Sequence, residues 1–109
     1  MNLISLLLTF LMTFTPANSF KCDGDILNSK IINNQNGDFT IIKDLDKLDS
    51  GAFVVLEWKV NLMLPRTFLV GEKSFSDNKW KWIYDNNSNA RLLKMEPNGL
   101  TTEYKCNAG

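Results

Sequence analysis

The stretch Ala52-Phe53-Val54-Val55-Leu56-Glu57-Trp58-Lys59-Val60-Asn61-Leu62-Met63-Leu64 constrains the fold more than any other. Every second residue from Val54 (Val54, Leu56, Trp58, Val60, Leu62, Leu64) is large and apolar, while the interleaved set turns polar at Glu57, Lys59 and Asn61. Side chains on a strand alternate between two faces, so a period of two predicts one buried and one partly wet face. A helix would scatter the same six residues around its circumference. The stretch therefore reads as one long strand, ended by Pro65, whose ring removes a ladder donor. Trp58 is expected to be buried at the centre of the sheet, with Glu57 and Lys59 facing the other way.

Upstream, residues 3–14 form an uncharged apolar run, too short for a membrane span of roughly 20 residues. Pro16 and Ala17-Asn18-Ser19 follow, and small residues at the first and third of these positions suit signal peptidase. Residues 1–19 are thus expected to be a signal peptide cleaved after Ser19, with 20–109 the exported domain. That domain carries all 12 basic and all 12 acidic residues and no His, so its net charge is zero. No electrostatic bias draws it to nucleic acid or a membrane surface. Stable membrane insertion after cleavage is not expected, and the localisation implied is secreted or periplasmic.

Cys22 and Cys106, the two cysteines of the chain, stand near the ends of the exported domain. In an exported protein such a pair reads as a disulfide.

Turn chemistry divides the rest into short strands. Residues 26–33 make a first strand, and Asn36-Gly37 is a hairpin signal into a second over 38–43. The charged segment 44–51 is a loop. A fourth strand begins at Thr67 and stops at Gly71, and Ser76-Asp77-Asn78 turns into a fifth over 79–85. The turn 85–89, a sixth strand over 90–95, Pro97-Asn98-Gly99 and a last strand over 100–106 complete the chain. With no helical segment, this predicts an all-β fold: a single small antiparallel meander of about seven strands. It is barrel-like, and one disulfide ties its ends.

Trp80, Trp82 and Tyr84 share one face of their strand. They are either a platform on which sugar rings or bases stack or the core of a small barrel; packing is the expected role. Catalytic chemistry has little to work with, because there is no His and both cysteines are expected to be oxidised. No enzymatic activity, cofactor or metal is expected. Asp44-x-Asp46-x-x-Asp49 lacks the Gly and terminal Glu of an EF-hand loop. Asn86-Asn87-Ser88 is a glycosylation acceptor in a eukaryotic secretory pathway.

Phe75-Ser76-Asp77-Asn78-Lys79-Trp80, with Trp82, Ala90-x-Leu92 and Cys106, resembles the membrane-bound inhibitors of c-type lysozyme. That resemblance implies a small exported β-barrel with disulfide-tied ends. The Ser- and Gly-rich loop that precedes this hairpin in the family reads Leu69-Val70-Gly71-Glu72-Lys73 here, so no inhibitory residue is carried over. The ending Gly99-Leu100-Thr101-Thr102-Glu103-Tyr104-Lys105-Cys106 also resembles short exported β-proteins of marine photosynthetic bacteria and their viruses. The functional expectation is a non-enzymatic exported domain that binds a protein or cell-envelope partner. The alternative is a small-ligand carrier with an aromatic-lined barrel mouth.

Overall fold

A computed structural model describes residues 17–35, 38–42, 52–67 and 72–108. Nine strands run through them: β1 (Ser19–Cys22), β2 (Asp25–Gln35), β3 (Asp38–Ile42), β4 (Phe53–Glu57), β5 (Asn61–Thr67), β6 (Lys73–Ser76), β7 (Trp80–Tyr84), β8 (Asn89–Met95) and β9 (Thr101–Asn107). All neighbours are antiparallel, in the order β1-β9-β8-β7-β6-β5-β4-β2-β3. Because β1 also pairs with β2, eight of the strands close into a barrel and β3 lies outside the circuit. Closure removes the sheet edges that an open meander would expose. At eight strands the interior is just wide enough for side chains to fill.

The expected long strand is two strands. β4 and β5 form a hairpin in which Val54 faces Leu64 and Leu56 faces Leu62, and residues 58–60 make the turn. The turn is closed by a bond from the Trp58 amide to the Val60 carbonyl (3.2 Å). An odd number of turn residues preserves side-chain parity, so the apolar alternation passes through the reversal unbroken. Trp-Lys-Val carries no Gly, Pro or Asn to mark it. Trp58 is accordingly not at the sheet centre but half-buried at the barrel end, where its ring meets Tyr104 edge-on (5.0 Å). Glu57 and Lys59 are exposed, as expected.

Pro65 does not end the strand either; it sits inside β5 opposite Phe53. The Arg66 amide donates to the Ala52 carbonyl, which makes the 53/65 pair a non-hydrogen-bonded one. The missing Pro65 donor therefore points away from β4, and β6 pairs only with Arg66 and Thr67. The ladder loses nothing there.

Two strands are additional to those expected, β1 and β6. Thr67, the expected start of a fourth strand, ends β5, and the remainder of that strand, 68–71, lies outside the described residues. β1 is joined to β2 through Asp23 (φ 50°) and Gly24 (φ 84°). Positive φ at both central residues is the two-residue hairpin turn that Asp-Gly favours. Gln35 pairs with Asp38, the register a two-residue connection requires, although residues 36–37 themselves lie outside the described residues, as does the expected loop 44–51. In the β6–β7 turn the Asp77 carboxylate accepts from the amides of Lys79 (2.8 Å) and Trp80 (2.7 Å). Pro97, Asn98 and Gly99 (φ 87°) turn β8 into β9.

The disulfide joins Cys22 and Cys106, which face each other in register across the β1–β9 seam. The expected link between first and last strands is thus present. Strand direction puts four turns at one end of the barrel: 23–24, 58–60, 77–79 and 96–100. Ala17 and the 85–88 turn lie at the other.

Candidate binding surface

Inward-facing residues alternate along each strand with outward ones. Trp80, Trp82 and Tyr84 all point inward and are 9%, 0% and 4% exposed. Phe20 packs edge-on against Trp82 (5.3 Å, 81°), Trp82 against Tyr84 (5.5 Å, 82°), and Tyr84 against Phe75 (6.4 Å, 83°). Aromatic edges meet faces in this cluster, the arrangement the ring quadrupole prefers. These rings fill the barrel, and a stacking platform needs ring faces open to solvent. Only Trp80 approaches the surface, and the Lys94 ammonium lies over its ring at 5.6 Å.

Burial has a chemical consequence at Tyr84. Desolvation pushes its phenol above the ordinary value of 10.0, partly offset by its hydrogen bond to the Ser29 hydroxyl. The folded state holds the neutral form, so this contribution is intact below pH 10 and is lost as pH rises through the folded-state value. Alkaline titration followed by circular dichroism should show unfolding setting in above about pH 10. Tyr84→Phe should shift that onset upward while costing less than about 1 kcal/mol at neutral pH, since the 3.5 Å bond it removes is long. An unshifted onset would contradict this account of Tyr84.

Charged side chains of the outer faces are largely paired. Arg91 grips Asp85 through Nε (3.0 Å to Oδ2) and Nη2 (2.9 Å to Oδ1), and Nη1 lies 3.5 Å from Glu103. Lys81 lies 2.7 Å from Glu72 and holds that carboxyl below its ordinary value. Lys59 bridges Asp25 (3.3 Å) and Asp23 (3.4 Å), tying the β4–β5 turn to the β1–β2 turn. Among the described residues no three His, Cys, Asp or Glu side chains gather closely enough to hold a metal ion. A hollow of about 220 Å³ lies on the outer β8–β9 wall, lined by Asp85, Asn89, Arg91, Lys105 and Asn107 among others. It is smaller than the roughly 300 Å³ of a small-molecule site. Asn86, first residue of the Asn-x-Ser motif, is exposed, with its side-chain oxygen accepting from the amides of Ser88 and Asn89.

Among the described residues four large apolar side chains are exposed: Ile26, Met63, Met95 and Leu100. Ile26 faces Lys21 in register, and Met95 faces Thr101. Single exposed apolar residues of this kind are ordinary. Met63, 64% exposed, differs. It pairs with Val55, which also pairs with Lys30; in the next outward row Pro65 pairs with Phe53 and Phe53 with Ile32. Ile32, Phe53, Val55, Met63 and Pro65 therefore form a contiguous apolar tract on the outer wall of β2, β4 and β5. Sequence reading missed it because the tract exists only once the hairpin folds β5 back along β4.

The architecture is a small antiparallel β-barrel with a filled core, one disulfide across its seam and an apolar outer tract. The chain belongs to the DUF8671 family, a domain of unknown function, whose profile matches residues 30–106. The matched span runs from within β2 to Cys106 in β9. No curated protein and no solved structure matches the chain. The disulfide is consistent with an oxidising environment such as the extracellular space or periplasm.

Proposed function

We propose that this chain is a non-enzymatic exported domain that binds a partner protein through the outer wall of β2, β4 and β5. The observation that carries the reading is Met63, 64% exposed within an apolar tract on a barrel whose interior is packed with rings and aliphatic side chains. Met63 and Pro65 are exposed and Ile32, Phe53 and Val55 half-buried beside them, and apolar surface gathered in this way marks a protein interface. The packed interior disfavours the alternative, a carrier with an aromatic-lined mouth: Trp82, Phe20, Phe75 and Leu56 are at most 1% exposed. A net charge of zero favours a protein over anionic polymers or nucleic acid. The apolar run at residues 3–14 and the disulfide support secretion or periplasmic residence.

Met63→Glu tests the reading. The side chain is exposed, so the melting curve should stay within about 0.5 kcal/mol of the parent. Retention of a partner from the native exported fraction, quantified by mass spectrometry, should fall at least about tenfold, which is about 1.4 kcal/mol. Equal retention by both proteins would place the interface elsewhere.

A further inference from the structure

Residues 17–19, which the sequence pattern assigns to the leader, are part of the folded barrel. Ala17 packs against the core, its amide donates to the Asn87 carbonyl (3.1 Å), and its carbonyl accepts from the Ser29 hydroxyl (3.3 Å). The Asn18 carbonyl accepts from the Ser29 amide (2.8 Å), and Ser19 pairs with Asn28 as the first residue of β1. Ser29 is 6% exposed and Phe20 is 1% exposed.

Cleavage after Ser19 would undo all of this. The buried Ser29 amide would lose its acceptor, and such a group is costly to leave unpaired. A new α-ammonium would form on Phe20, a residue 1% exposed and paired with Leu27 within the ladder, where a charge is disfavoured. A second pair of small residues stands two positions earlier: Thr15 and Ala17, flanking Pro16. Cleavage after Ala17 satisfies the same preference for small residues. It gives up the two hydrogen bonds of Ala17 but keeps the Asn18–Ser29 bond and the whole of β1. The Ser29 hydroxyl keeps its contact with Tyr84. The new charge falls on Asn18, an exposed residue.

We infer that, within the exported reading on which this rests, the processed bond is Ala17–Asn18 rather than Ser19–Phe20. A signal peptidase adds water across that amide, leaving a carboxylate on Ala17 and an α-ammonium on Asn18.

The full chain is expressed in one bacterial and one eukaryotic secretory host, and the exported product is weighed intact after enzymatic removal of any glycan from the Asn86 side chain. A product beginning at Asn18 is expected. Two variants separate the sites. Thr15→Leu places a bulky residue three positions before the proposed bond and should cause most of the precursor to accumulate. Ser19→Leu, at an exposed position, should be processed like the parent. A product beginning at Phe20, with Ser19→Leu blocked and Thr15→Leu processed, overturns the inference and leaves export intact. Uncleaved precursor in both hosts overturns the inference and the exported reading together.

Discussion

Removing the Cys22–Cys106 disulfide should lower the stability of the barrel by about 4.5 kcal/mol, the value chain entropy predicts for a loop of this length. The two cysteines are separated by 84 positions in sequence, so the bond closes a loop containing nearly all of the described chain. In the unfolded ensemble that constraint removes a large number of conformations. In the folded state it also reinforces a short seam: β1 and β9 share only the pairs Lys21–Asn107 and Cys22–Cys106, whereas β8 and β9 share a register from Asn89–Asn107 to Met95–Thr101. The double variant Cys22→Ala/Cys106→Ala avoids a lone reactive thiol. For a domain of this size the expected loss corresponds to a fall in Tm on the order of 20 °C. Because total stabilities are about 5–15 kcal/mol, the variant should be close to unfolding at physiological temperature. A melting curve superimposable on the parent would show that the seam is held by packing and strand pairing alone.

Trp82→Ala should be the most damaging single side-chain truncation in the core, at about 3–5 kcal/mol. The indole is fully buried and in ring contact with Phe20 and Tyr84, and its backbone pairs on both sides, with Phe75 and Leu92. No small rearrangement refills an indole-sized void when strands wall it on every side. Trp58→Ala provides the contrast. Trp58 is half-buried at the barrel end and bridges to Tyr104 from a turn, so water can enter the space it vacates. About 1.5–3 kcal/mol is expected, the scale of burying part of one large apolar side chain. Parallel chemical denaturation of the two variants checks the ordering. A larger loss for Trp58→Ala would restore the long central strand and contradict the hairpin.

That contrast also shows which features the sequence made legible. The all-β class, the disulfide between the sheet ends and the aromatic core strand follow from local rules: period-two alternation, turn residues and the two cysteines. β7, β8 and β9 fall within about a residue of their expected spans because Asp-Asn, Asn-Asn-Ser-Asn and Pro-Asn-Gly announce their turns. The β4–β5 reversal was not legible, since its three turn residues lack turn chemistry and leave the alternation in phase. β1 was hidden by its length and by the leader pattern overlapping its first residue. β6, at four residues, offers too few alternations to register. The outer tract could not be read at all. Met63 and Val55 are eight positions apart, and only cross-strand register makes them neighbours.

The central claim is that this barrel binds on its outside and is full within. Native mass spectrometry of the protein isolated from its own source under mild conditions addresses that claim most directly. The predicted result is a polypeptide carrying no small molecule, with a fraction in stoichiometric complex with another protein. A small molecule retained by the native protein and released only on unfolding would contradict the account and favour the carrier.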